Sequence, residues 1–317
     1  MAQVDNTNFN FDIPEFPVGG DAAPASAPTP AASPVGTNTA PSVATNVQPQ
    51  IPSDEAPFIV LCGPPSSGKS MVLKSLASFL YNSSSLGYTI TANTTLLNTH
   101  KYQEDCQYFN RIIGDPDIAM QNTVDYLMAD IVDSTGNVVA HFLEAPGEDF
   151  FSINNVDQEP NLDFKSYLAR VAQISPEKAR KVIYIILLDL DSETSLRNNA
   201  ALRDKYERKM MKLYSKYVLH HPSRVILLYN KVDIPHNGMW ANTNGITNPT
   251  AILKDARQNY PRLFFTKKFL FWDVENYSFL PYCTGTYPRA FPGDLSYTSS
   301  GPAYPAALWK EITKQLW

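Results

Sequence analysis

The sequence predicts an α/β fold organised on a mainly parallel sheet with one antiparallel edge strand, preceded by a disordered tail. Three observations predict it. An apolar run, Phe58-Ile59-Val60-Leu61-Cys62, passes through a Gly- and Pro-rich turn directly into helical periodicity. Further apolar runs alternate with amphipathic stretches down to the last residues, the pattern of strands joined by crossover helices. One hairpin signal, Ser134-Thr135-Gly136-Asn137, stands between two strand-like runs and marks the antiparallel pair.

Residues 1–56 form the tail. From 17 to 57 it is rich in Pro, Ala, Ser, Thr and Asn, and such a segment cannot bury enough apolar surface to offset its ordering entropy. Inside it, residues 8–17 set Phe9, Phe11 and Ile13 at alternate positions with Phe16 beyond, which suits a docking peptide that adds to a sheet edge. A tail with incidental aromatics is the plainer alternative. The folded domain is residues 57–317. Strand Phe58–Cys62 leads to a helix from about 69 to 81. Residues 83–121, rich in Asn, Ser and Thr, have no clear period and receive no assignment. Strands near 124–132 and 138–144 flank the hairpin turn, and a helix near 162–174 precedes a strand at 181–188. Leu196, Ala200, Tyr206, Met210, Leu213 and Tyr217 line one side of a helix over 193–219, a stripe that reads as core. A strand at 224–229, a helix at 249–258, strands at 268–273 and 278–283, and a helix at 305–316 complete the order.

Composition narrows the function classes. The chain has 26 basic and 31 acidic residues, and its net charge is −5. Six of the acids and none of the bases fall in residues 1–57, so the remainder carries 26 basic against 25 acidic residues. A near-neutral body gives no electrostatic case for nucleic acid. No stretch approaches the ~18 apolar residues of a membrane span, and no secretory signal stands at the N-terminus. Three unpatterned cysteines, Cys62, Cys106 and Cys283, argue against a disulfide framework or a zinc site. A cytoplasmic location is the expectation.

Gly63-Pro64-Pro65-Ser66-Ser67-Gly68-Lys69-Ser70 has the form Gly-x4-Gly-Lys-Ser between a strand and a helix. Backbone N–H groups along such a loop, with the helix N-terminus behind them, cradle phosphates. Pro65, Ser66 and Ser67 form its floor. Lys69 is placed to reach the β- and γ-phosphates and Ser70 to ligate magnesium. Gly63 and Gly68 permit the turn and the close backbone approach. The bland alternative is a fortuitous Gly/Ser-rich turn.

A second motif, Asn230-Lys231-Val232-Asp233, follows the strand-like run Val225–Tyr229. Guanine presents N1–H and N2–H as paired donors, which one carboxylate accepts together; adenine has no such pair. Asp233 is thus the candidate base reader, with the Lys231 stem over the base plane and Asn230 tying the loop to the base or to the phosphate loop. A polar turn after a strand is the alternative, since Asn and Asp favour turns.

With these two motifs the chain, over about residues 57–317, resembles the Ras-like, translation-factor-related class of P-loop GTPases. That resemblance implies a three-layer P-loop GTPase fold, GTP or GDP as ligand and Mg2+ as cofactor. It maps the switch threonine, which closes over metal and γ-phosphate, to Thr123, with Thr94 and Thr95 as rivals. The class carries Asp-x-x-Gly after its third strand; here it reads Glu144-Ala145-Pro146-Gly147, followed by Glu148. Glu144 would hold metal-bound water, although its extra methylene puts that geometry in question. The Gly147 amide would meet the γ-phosphate. Glu148 stands where Ras-like members carry the water-positioning glutamine, so it is the catalytic candidate beside Lys69 and Thr123. Tyr282-Cys283-Thr284-Gly285 would present amides to guanine O6, although it lacks the class's Ser-Ala pair. The 83–121 insert and the Pro-Gly-Glu-Asp-Phe-Phe run are similar to bacterial double-GTPase-type members.

The resemblance implies a GTPase switch acting on a protein effector or activator, slow without a partner because no arginine finger can be assigned in cis. A dimer or a partner GTPase is compatible with it. Two other readings stay open: a nucleotide-dependent binding scaffold with little hydrolysis, and an ATPase whose magnesium-binding acid is Asp189, at the end of the run Ile185–Leu188.

Overall fold

A computed structural model of the chain describes residues 50, 52, 54–120, 126–147, 181–189, 199–213, 223–233, 240–242, 245–264, 266–269, 272–275, 277–286 and 297–316. All of these fall in one unit, Val47–Trp317. Its strands are β1 (Phe58–Cys62), β2 (Tyr88–Ala92), β3 (Leu127–Asp133), β4 (Val138–Glu144), β5 (Val182–Asp189), β6 (Ser223–Asn230), β7 (Ala241–Asn242), β8 (Gly245–Ile246), β9 (Thr266–Phe269), β10 (Trp272–Glu275), β11 (Ser278–Pro281), β12 (Gly285–Thr286) and β13 (Thr298–Ser299). The helices are α1 (Lys69–Asn82), α2 (His100–Ile112), α3 (Ala200–Leu213), α4 (Pro249–Asn259) and α5 (Ala303–Leu316).

Seven strands form one sheet in the order β11-β6-β5-β1-β4-β3-β2. From β11 to β4 every neighbour is parallel, and β3 runs antiparallel to both β4 and β2. The mixed α/β class and the mainly parallel sheet are as the sequence predicts. The place of the antiparallel strand is not. It is β3, the first strand of the Ser134–Asn137 hairpin, and it lies inside the sheet. The edge belongs to β2, in the stretch left without an assignment, where only Ile90 and Ala92 of Tyr88–Ala92 are buried. The predicted strand over 268–273 is instead two short strands, β9 and β10, paired in their own ribbon.

β1 has all five residues buried at the centre of the sheet, flanked by β4 and β5. That position requires the continuous apolar run seen in the sequence, because a central parallel strand is covered on both faces. α1 packs on α5 and on β2, and α2 packs on β2 and β3. Tyr102, Cys106, Phe109 and Ile112 form the buried stripe of α2, and Thr99 caps its start by accepting from Tyr102 N at 3.2 Å. Tyr206 and Met210 of α3 are buried, as their stripe predicts. Cys62, Cys106 and Cys283 are buried free thiols. Among the described residues no helix is long and apolar enough to cross a membrane. The expected docking peptide at 8–17 and helix at 162–174 lie outside the described residues.

The folded body takes in residues ahead of 57. Gln50 N donates to Leu96 O at 2.8 Å. The Asp54 carboxylate accepts from Ala56 N at 3.0 Å and lies 2.9 Å from His141 Nε2. The other ring nitrogen, Nδ1, lies 2.7 Å from Asp130 Oδ1. With a carboxylate at each nitrogen, the buried ring is a double donor, which is its protonated form. Burial alone lowers the imidazole pKa, but the hydrogen bonds and charges of Asp130 and Asp54 outweigh it and leave the pKa raised. A raised folded pKa stabilises fully below the unfolded value of about 6.5, and the contribution is lost as pH climbs through the folded value. Urea melts between about pH 6 and about pH 8.5 should therefore show a stability decline in the native chain that Asp54→Asn flattens. Equal slopes for the two proteins would show that the Asp54 contact adds nothing.

Candidate functional site

The site gathers at the C-terminal ends of the central parallel strands, where open α/β sheets bind ligands. β1 ends at Cys62, and the chain turns through Gly63–Gly68 into α1. Gly68 takes φ 90° at the helix N-cap, a left-handed conformation in which a side chain is strained. A Cβ there would also stand 2.5 Å from Asn230 Nδ2. A Cβ on Gly63 would stand 2.7 Å from Ser67 Oγ and 3.1 Å from Leu187 Cβ. Gly68 is demanded by its left-handed backbone, and a side chain at Gly63 would have to displace Ser67 Oγ and press on Leu187. Pro64 and Pro65 have no N–H, so the loop's donors come from Gly63 and from Ser66 onward, and of these Ser67 N donates to Pro64 O at 3.3 Å.

Lys69 is 7% exposed, and its ammonium donates to Gly63 O at 3.2 Å and to Pro64 O at 3.0 Å. It lies across the loop it was expected to complete, so reaching phosphates requires it to exchange these carbonyls for phosphate oxygens. The Ser70 hydroxyl donates to the Glu144 carboxylate. Glu144 ends β4, opposite Leu61 of β1, and is 1% exposed. Two hard oxygen donors, a hydroxyl and a carboxylate, thus meet at the start of α1. That donor set suits magnesium, which takes few protein ligands and keeps water and phosphate oxygens. Among the described residues there is no cluster of three or more His, Cys, Asp and Glu side chains that could hold a metal.

The turn after β4 rests on the phosphate loop. A Cβ on Gly147 would stand 2.3 Å from Pro65 N and 2.6 Å from Pro64 C. Only glycine permits this approach.

The loop after β6 is stitched to the phosphate loop from the other side. Asn230 Nδ2 donates to Ser67 O at 2.8 Å, and Lys231 Nζ donates to Ser66 O at 2.9 Å. Of the two roles offered for Asn230, the tie to the phosphate loop is the one seen. Ser66 and Lys231 take φ 60° and φ 62° and are the non-glycine residues with positive φ among those described. Each of these two residues, joined by one hydrogen bond, costs on the order of 1 kcal/mol or more, so the surrounding contacts must hold the conformation. Asn230 Oδ1 and Ser67 Oγ are buried with no hydrogen-bond partner, both at this junction. Burying such atoms is costly unless something completes them.

Asp233 is half-buried, and its carboxylate acts on the Cys283 thiol. Burial first, and then the Asp233 carboxylate, push the Cys283 pKa up, so this thiol stays a neutral donor. The loops after β6 and β11 are joined through Tyr282 N to Tyr229 O at 2.7 Å and Val232 N to Tyr282 O at 3.2 Å. Tyr282 O–H also lies 2.5 Å from Ser75 Oγ, which itself donates to Val72 O at 3.0 Å, so the tyrosine is the donor. Beyond it the carbonyls are tied back. Ser300 Oγ donates to Cys283 O at 2.6 Å, Ser300 N to Thr284 O at 3.3 Å, and Tyr297 O–H to Thr284 O.

Gly63, Ser66, Ser67, Gly68, Lys69, Ser70, Glu144, Gly147, Asn230 and Lys231 are thereby brought together. Asp233 and Thr284 join them through the stitched loops. Thr123 and Glu148 lie outside the described residues, as does the side chain of Asp189. Of the rivals to Thr123, Thr95 is bonded to Asn93, with Thr95 Oγ1 to Asn93 Oδ1 at 2.7 Å, and Thr94 O accepts from Gln103 at 2.8 Å. Sequence reasoning missed Ser75, Tyr297 and the side-chain bond of Tyr282, for which no motif gives a signal. It also passed over the two prolines as missing donors, which the sequence does show. No protein-family model and no curated protein matches the chain.

Proposed function

We propose that this chain is a GTPase: it binds GTP or GDP with Mg2+ across the loops after β1, β4, β6 and β11 and hydrolyses GTP as a switch toward a protein partner. The observation that carries the reading is the stitching of Asn230 and Lys231 to Ser67 and Ser66. It ties the base-reading motif to the phosphate-binding motif and accounts for the strain at Ser66 and Lys231. The fold so read is a P-loop GTPase fold with one strand, β2, added at its edge.

Each residue then has a task. Amides from Ser66 onward receive phosphate oxygens, and Lys69 swings from its two carbonyls to balance their charge. Ser70 and Glu144, which share a hydrogen bond, would hold the metal and its water. Magnesium, when bound, neutralises charge between the β- and γ-phosphates. Asp233 accepts guanine N1–H and N2–H. The backbone at Cys283–Gly285, with its carbonyls tied back, offers amides to O6. Gly147 offers its amide to the γ-phosphate, Thr123 closes over it, and Glu148 orients water.

GDP, GTP and ATP affinities of the native chain and of Asp233→Asn test the base assignment. The native chain should prefer guanine nucleotides. The variant should lose on the order of tenfold or more in GDP affinity, the worth of a charged hydrogen bond pair. ATP displacing bound nucleotide as well as GDP does, or an unchanged preference in the variant, would overturn the guanine assignment. Turnover of radiolabelled GTP, alone and with partners, separates a hydrolase from a binding scaffold.

A further inference from the structure

Lys74 is 1% exposed on α1, among buried apolar neighbours Met71, Val72, Leu73 and Leu76. A charge taken out of water costs several kcal/mol unless it is fully partnered, and hydrocarbon of similar size fills such a place at less cost. Its partners come from two distant segments. Nζ donates to Asp115 O at 2.6 Å and to Pro116 O at 2.7 Å. It also stands over the Tyr297 ring, 5.8 Å from the centroid. Burial pushes the ammonium pKa down to about 8, against the pull of the Asp115 and Asp117 carboxylates. The same segments continue to the base-side loop. Tyr297 O–H donates to Thr284 O, and Asp117 Oδ1 accepts from Ser299 N at 3.1 Å, next to the Ser300 hydroxyl that holds Cys283 O.

We infer that Lys74 is a positioning residue for base recognition: its buried ammonium fixes Tyr297 and the 115–117 turn, and these hold the Cys283 and Thr284 carbonyls away from the base so that the loop's amides face it. The inference rests on the guanine reading above. It adds that discrimination between bases, and not phosphate binding, depends on this cation. The chemistry follows from O6. Guanine offers a carbonyl to those amides, whereas adenine offers an amino group that repels them.

The test compares the native full-length chain with Lys74→Met and Tyr297→Phe. GDP and ADP dissociation constants come from displacement of a fluorescent nucleotide, with thermal melts alongside. Each variant should lower the ratio of GDP to ADP affinity about five- to tenfold, the worth of one or two neutral hydrogen bonds, with ADP affinity unchanged. A lowered melting temperature with the native ratio kept in both variants would overturn the inference, because Lys74 would then serve stability alone. A native chain that does not prefer GDP over ADP would overturn the guanine reading and this inference with it, a result distinct from a kept ratio. If Lys74→Met does not fold, Tyr297→Phe decides, since it removes only the hydroxyl on Thr284 O.

Discussion

Lys69→Met should lower GTP and GDP affinity by at least about a hundredfold and leave the fold standing. The two halves of that expectation come from different contacts. The Lys69 ammonium is held by two carbonyls of its own loop, Gly63 O and Pro64 O. Bonds from a charged donor contribute about 1.5–3 kcal/mol each, but desolvating the buried ammonium takes back a comparable amount, so the net share in folding is small. Methionine keeps an unbranched stem of similar length, so packing along the buried part of the side chain survives. On phosphate the same ammonium would make charge-assisted bonds worth about 1.5–3 kcal/mol each, and two of them would give the hundredfold. Fluorescent nucleotide titration beside a thermal melt reads both halves. Undiminished GDP affinity in the variant would remove Lys69, and the loop around it, from phosphate binding.

Gly147→Ala carries the second large effect, and it strikes the contact between the turn after β4 and the phosphate loop. The added methyl would lie 2.3 Å from Pro65 N and 2.6 Å from Pro65 Cα, and both are backbone atoms of a rigid Pro-Pro pair. A flexible side-chain tip could move aside at little cost; this backbone cannot. The turn must lift, at a cost of roughly 2 kcal/mol in stability, as for other overpacked sites. Its amide then moves from the place proposed for the γ-phosphate. GDP has no γ-phosphate, so GDP affinity should stay within a few-fold of native while single-turnover GTP hydrolysis falls about tenfold or more. Native stability together with native hydrolysis would show that the turn does not need to touch the loop.

The parts of the fold that could be read from sequence are those whose pattern is forced by burial on both faces. β1, β5 and β6 are continuous apolar runs because neighbours cover them on every side. β2 escaped because an edge strand is buried on one side only: Thr89 and Thr91 are exposed, while Tyr88, Ile90 and Ala92 face the core. α2 had a legible stripe in Tyr102, Cys106, Phe109 and Ile112, but its polar remainder and the Asn- and Thr-rich approach hid it. The antiparallel strand was placed at the edge because the strand beyond it had not been seen.

The site divides the same way. Gly63–Ser70 and Asn230–Asp233 are contiguous, so chemistry and spacing could be read directly. Their mutual stitching joins residues more than 160 positions apart, and no local pattern encodes it. The same holds for His141 between Asp54 and Asp130, and for Lys74 between Asp115 and Tyr297. In each case the signal in one dimension is a single polar residue in an apolar run, which fits a solvated face equally well until the fold closes around it.

β2 has a consequence for how copies of this protein meet each other. An outermost strand offers unpaired amides and carbonyls that template the addition of another chain, the first step of aggregation. Here the Ala92 amide is taken by Asn110 Oδ1 at 2.8 Å, from the helix packed beside it, and Thr91 Oγ1 donates to the same oxygen at 3.3 Å. The helix thus occupies one outward amide of the strand from within the chain. At this end of the strand the insert leaves one place fewer where the sheet of one molecule could continue into the next.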